Sequence, residues 1–266
     1  MKILSLLTFL FTLNLFATAI YAPITSIDKK NHRISVITKT PVEPGMSALV
    51  IHLINKQHST VLYRARVRSY NENNNSALLD LFEFTLLQNN ALPKGEYTLQ
   101  KGDVVEFAFT YDRGVLIAPS EEIYYDITKK ITLQWVHPDL FATVLSYHGH
   151  PTPQKSDFLE MAEGLNVGLL FIYLDNKLFT LDSKTFAILH IDDAPAMRGT
   201  TQLPFYSRIH NIEAAWFGKG SSYMEKYAPH YYALLVEYNP KNEALYNIVK
   251  KHNYTNLLSE FTIGKE

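Results

Sequence analysis

The chain has 266 residues, 47% of them hydrophobic, which is enough to build one large core or two modest ones. Its 25 basic and 26 acidic side chains leave a formal charge of −1, with neither the basic excess of a nucleic-acid binder nor an acidic tail. It contains no cysteine, which excludes disulfides, thiol catalysis, cysteine metal sites and the lipid-acceptor cysteine of a bacterial lipoprotein.

The first residues, MKILSLLTFLFTLNLFATAIYA, place Lys2 before an apolar run from Ile3 to Phe16 and the small-x-small triplet Ala17-Thr18-Ala19. This layout reads as a signal peptide over residues 1–19, since the run is shorter than the ~20 residues of a membrane-spanning helix. An uncleaved membrane anchor is the alternative. No later stretch is apolar long enough to span a bilayer. The expected location is therefore outside the inner membrane, at the cell surface or outer membrane or in the periplasm.

Residues 20–120 form the expected β-rich subdomain, a small barrel or sandwich, with strands beginning at residue 33. In TVLYRARVRSY, Tyr63, Ala65 and Val67 alternate with Arg64, Arg66 and Arg68, the pattern of a strand with one buried and one wet face. DVVEFAFTY, SALVIHLI and ALLDLFEF are further strands, separated by breakers such as Pro93-Lys94-Gly95. Residues 121–266 read as an α/β subdomain ending in helices, so the fold class is α+β. Ser120 suits a helix N-cap ahead of Glu121 and Glu122. Ile131 to Val136 looks like a strand, and a helix is expected from Pro138 to a stop at Gly149. Another runs from Ser156 to Glu163. VGLLFIYLD and KLFTLD, turning at Asp175-Asn176-Lys177, read as a hairpin followed by AILHID, and the unalternating VGLLFIY fits a strand covered on both faces. From Pro204 onward the pattern predicts helices: one ending near Gly218, one over Ser222 to Tyr238 interrupted at Pro229, and one opened by Asn239-Pro240.

Few residues suggest chemistry. His148 and His150 are spaced to hold zinc or copper if His137, Asp139 or Asp157 supplies a third ligand, but Gly149 and Pro151 favour an ordinary exposed turn after a helix. Asp192-Asp193 reads as a carboxylate pair or a solvated loop, without the acidic spacing of a calcium loop. The Arg64, Arg66 and Arg68 row either grips an anionic surface or guards a wet sheet face. Tyr223, Tyr227, Tyr231, Tyr232, Tyr238 and Tyr246 suit an interface or half-buried helix packing. The sequence has no G-x-S-x-G, H-E-x-x-H, P-loop or G-x-G-x-x-G motif, and no cofactor is expected.

Five stretches, GMSALVIHLINKQHSTVLYRARV, KGDVVEF, GVLIAPSEEIYYDI, VGLLFIYLDNKLFTLDSKTFAIL and LPFYSRIHNIEAAWFGK, resemble in order and spacing the N-terminal domain of the bacterial plasminogen-binding surface proteins. The resemblance covers about Gly45 to Lys219. It implies a secreted or surface-exposed protein without enzymatic activity that captures host plasminogen, whose kringle domains hold an ammonium and a carboxylate at a fixed separation. A periplasmic or outer-membrane scaffold with a bacterial partner is the alternative. The family's Lys/Glu-rich tail ending in lysine is not matched here: Glu266 follows Lys265, so Lys265 does not carry over as the binding lysine. Lys226 beside Glu225, and Lys250-Lys251, are the internal lysines left to imitate it.

Overall fold

A computed structural model describes residues 19–84, 97–209 and 211–264. The leader (apart from Ala19), the Pro93-Lys94-Gly95 breaker and Lys265 lie outside the described residues. The first six strands are β1 (Ile20–Asp28), β2 (Arg33–Ile37), β3 (Ser47–Leu53), β4 (Ser59–Asn71), β5 (Ser76–Glu83) and β6 (Val104–Phe107). All pair antiparallel, and they close into a barrel in the order β1-β2-β5-β4-β3-β6. β1 was not among the strands expected from the sequence, which began at residue 33. It closes the barrel by pairing with both β2 and β6. The period-2 pattern is obeyed: Ala65 and Val67 point into the barrel while Arg66 and Arg68 are exposed. Alternating small and large residues, such as Ala48, Val50, Ala77, Leu79 and Phe107, fill the narrow interior.

The chain then builds a second, mixed sheet from β7 (Arg113–Ile117), β8 (Gln134–Val136), β9 (Leu169–Leu174), β10 (Lys177–Asp182) and β11 (Ile188–Asp193), in the order β11-β10-β9-β7-β8. β7 lies parallel to β8 and β9, so both connections need crossovers. α1 (Glu121–Thr128) makes the first; α2 (Pro138–His148) and α3 (Lys155–Gly164) make the second. Ser120 caps α1 by accepting from the Ile123 amide. Pro138 opens α2 without losing a needed amide, and Gly149 ends it in the left-handed region at φ 66. Asp175 and Asn176, both at positive φ, make the two-residue hairpin turn.

The sheet is buried on both faces. Leu116, Phe171 and Tyr173 join the barrel core and α1, while Val115, Ile117, Leu170 and Ile172 pack with α2, α3 and α4 (Tyr227–Tyr238). This is why the β9 sequence is apolar without alternation. Tyr231 and Tyr232 are fully buried, whereas Tyr223 is exposed, so the tyrosines divide between packing and surface.

The C-terminal region departs from expectation in two places. No helix ends near Gly218 and none covers Ser222 to Lys226; residues 211–226 are turns and loops. The local backbone finds partners elsewhere: Tyr206 N–H donates to Ala118 O, and Arg208 N–H donates to the Asp139 carboxylate on α2. Nor does Pro229 interrupt a helix. It sits in the first turn of α4, where its missing N–H costs nothing. The last α-helix, α5 (Glu243–Lys251), is capped by Asn242 and follows the Asn239-Pro240 turn, and a 3-10 helix, Thr255–Glu260, comes after it.

Barrel and mixed sheet are joined around Asp182, a fully buried carboxylate. Its Oδ2 accepts from the Ser47 amide (2.8 Å), Ser47 Oγ (2.5 Å) and Tyr111 Oη (2.6 Å); its Oδ1 accepts from the amides of Lys184 (2.9 Å) and Thr185 (2.8 Å). Beside it Thr185 Oγ1 donates to Gly45 O, and Gly45 (φ +93) lies so close that a Cβ there would meet Ala187 Cβ at 2.3 Å.

Candidate functional site

α3 turns Lys155, Leu159 and Glu163 to one side, at positions i, i+4 and i+8. Opposite stands the outer wall of the barrel. There β3 and β4 present Leu49, Ile51 and Val61 outward, and β5 adds Phe82. Phe109, Lys184 and Thr185, from the barrel-to-sheet connection and the loop after β10, complete a cleft of about 600 Å³. Its walls are largely hydrocarbon and its charges mostly positive: Arg64, Arg66, Lys155 and Lys184 against Glu106 and Glu163.

Among the described residues neither lysine forms an ion pair with a carboxylate. Lys155 Nζ donates to Thr185 O (3.2 Å) and lies 3.8 Å from the Tyr238 ring centre. Lys184 Nζ reaches Thr110 Oγ1 at 3.5 Å and lies 5.5 Å from the Phe109 ring centre. Loss of water pulls the pKa of both ammonium groups below that of free lysine. The acids are already engaged: Glu106 accepts from Tyr21 Oη, and Glu163 lies 4.0 Å from Arg64.

The arginine row is partly neutralised. Asp80 on β5 sits between β2 and β4 and meets Arg33 (3.1 Å), Arg66 (3.9 Å) and Arg68 (3.4 Å). Arg66 also lies over Phe82. Arg64 and Arg66 border the cleft, and Arg68 does not.

The structure brings His148 and His150 together, their ring centres 5.6 Å apart. Each donates to its own acid, His148 Nε2 to Glu160 and His150 Nδ1 to Asp157, both at 2.8 Å. Asp157 also caps α3 by accepting from Gln154 N–H, and Asp139 holds Ser207 and Arg208. Among the described residues no group of three or more His, Asp or Glu side chains is arranged to hold a metal ion. Asp193 pairs with Lys177 across the β10–β11 hairpin, and burial raises the pKa of Asp192.

Lys226 precedes α4, beside Glu225, and Lys250 and Lys251 close α5; all three are exposed and make no ion pair among the described residues. A further surface feature escaped the sequence reading. Trp216 is 100% and Phe217 87% exposed. They project from a loop fastened on both sides: Ala215 N–H donates to Gly149 O, and Thr152 N–H donates to Gly220 O. Glycines at 218 and 220 directly after a Trp-Phe pair were the available sign. For the cleft lysines there was none, because Lys155 and Lys184 lie on separate elements.

The sequence matches the family model described as plasminogen-binding protein pgbA N-terminal over residues 19–235. Two curated relatives are the plasminogen-binding proteins PgbA of Helicobacter pylori strains J99 and 26695. Each is 29% identical over 165 residues, 60% of this chain. The match takes in only 36% and 35% of the relatives, so the chain corresponds to about a third of their length. No solved structure matches. Among the described residues no helix is long and apolar enough to cross a membrane.

Proposed function

Because the chain belongs to the plasminogen-binding protein PgbA N-terminal family, we propose that it is an exported, non-enzymatic binding protein of the bacterial envelope that captures host plasminogen. The observation that carries this reading is the family match itself, which runs through the barrel and the whole second sheet with its crossover helices, into α4. The geometry adds lysines suited to the task. Lys226, Lys250 and Lys251 extend ammonium groups that no carboxylate of the described residues engages. A lysine-binding module needs such a free cation with an acid at a set distance; Glu225 stands next to Lys226.

The test is surface plasmon resonance of the purified protein over immobilised plasminogen, with and without a soluble lysine analogue. Binding that the analogue abolishes, and that Lys250→Ala/Lys251→Ala or Lys226→Ala weakens, supports the reading. No binding, or binding the analogue leaves intact, rejects lysine-mediated capture.

The exposed Trp216-Phe217 tip favours a second reading, an envelope scaffold with a bacterial protein partner. A photo-crosslinker at position 217 in intact cells distinguishes the two. An envelope protein joined to it supports the scaffold, whereas its absence, with protease-accessible protein outside the cell, supports capture of a host protein.

A further inference from the structure

Desolvated cations need an anion or a strong dipole beside them, because a charge stripped of water is otherwise costly. Among the described residues, the polar contacts of Lys155 and Lys184 are a carbonyl and a hydroxyl, beside ring faces. Asp182 and Glu163 act on Lys184 through space, and Glu237 and Asp182 on Lys155, yet loss of water prevails at both, joined at Lys155 by repulsion from Arg66. Asp182 has no capacity to spare, since five donors occupy its oxygens. Among the described residues the positive end of the cleft is therefore short of a paired anion, while its other wall is largely hydrocarbon.

We propose that this cleft binds a long-chain fatty acid, with its carboxylate between Lys155 and Lys184 and its acyl chain along Leu49, Ile51, Val61 and Phe82. The cleft volume of about 600 Å³ lies within the range of small-molecule sites, roughly 300–1,000 Å³. A peptide fits poorly, because its backbone N–H and C=O groups would need partners. The strands facing the cleft are already paired within a closed barrel and have no edge to offer. An acyl chain makes no such demand. A phosphate head would favour the forked guanidinium groups, but Arg64 faces Glu163 and Arg66 faces Asp80, leaving two ammonium point charges for a monoanion.

The experiment is isothermal titration of the purified protein with palmitate, hexadecanol and lysophosphatidic acid, each below its micelle concentration. Palmitate is expected to bind one to one and at least about tenfold more tightly than hexadecanol, the value of one charge-assisted contact. Lys155→Met/Lys184→Met, which keeps the aliphatic stems, should erase that preference with the circular dichroism melt unchanged. Val61→Trp, which adds bulk to the outer barrel face and spares both lysines, should block palmitate and hexadecanol alike. Equal binding of the two, binding of neither, tighter binding of lysophosphatidic acid, or palmitate affinity insensitive to both variants would each overturn the proposal. Plasminogen binding is measured separately and does not bear on the outcome.

Discussion

Asp182→Ala is the sharpest perturbation of this architecture. The substitution removes the acceptor for five donors, two of which, the amide and hydroxyl of Ser47, lie 135 residues away in sequence. The hydroxyls of Ser47 and Tyr111 can rotate toward new partners. The amides of Ser47, Lys184 and Thr185 are fixed by the backbone and lose their acceptor, the first buried and the other two part-buried. Each such group costs roughly 1–3 kcal/mol, so three put the loss at about 3–5 kcal/mol once partial relaxation is allowed. For a chain of this size that lowers Tm by about 10 °C. Asp182→Asn separates the contributions. Its amide oxygen still serves Lys184 and Thr185, and only the Ser47 N–H then faces a donor that cannot turn away, at a cost of about 1–3 kcal/mol. Tyr111→Phe deletes one hydroxyl and leaves the carboxylate four donors, costing about 1 kcal/mol. Urea unfolding followed by far-UV circular dichroism reads all three. If Asp182→Ala stays within about 0.5 kcal/mol of the parent, Asp182 does not hold barrel and sheet together.

Gly45→Ala adds a Cβ at φ +93 and 2.3 Å from Ala187, so it should cost about 2–4 kcal/mol, measurable in the same unfolding series. Asp80→Asn removes the charge shared by Arg33, Arg66 and Arg68; a loss of about 1 kcal/mol at low salt, shrinking as salt screens the arginines, is expected in thermal melts at two ionic strengths. Burial lowers the His230 pKa below 6.5, and its Nε2–H donates to Pro153 O. Below the unfolded value the unfolded chain takes up more protons, so this residue makes stability fall as pH drops from about 6.5 through the folded pKa. His230→Gln should flatten the Tm-versus-pH curve in that window, and an unchanged slope would exonerate His230.

The elements most legible in the sequence were those with local causes. Ser120, Pro138 and Gly149 mark helix ends through groups within a few residues, and β4 declares itself by alternation. β1 was hidden because IYAPITSID alternates weakly, and its partner β6 lies far along the chain. The stretch after Pro204 carries helix-like apolar content, but the amides of Tyr206, Arg208 and Ala215 bond to Ala118, Asp139 and Gly149, which no local pattern reveals. The cleft was illegible for the same reason. Its lysines, the barrel wall and α3 become neighbours only once Asp182 has drawn the two sheets together.

Closing the first six strands leaves the molecule's only unpaired strand margins in the second sheet, among the described residues, and both are poor templates. β8 is three residues long, and β11 ends in Asp192-Asp193, whose charge repels an incoming identical strand. Crowded copies of this protein therefore have little opportunity to zip into fibrils through these margins.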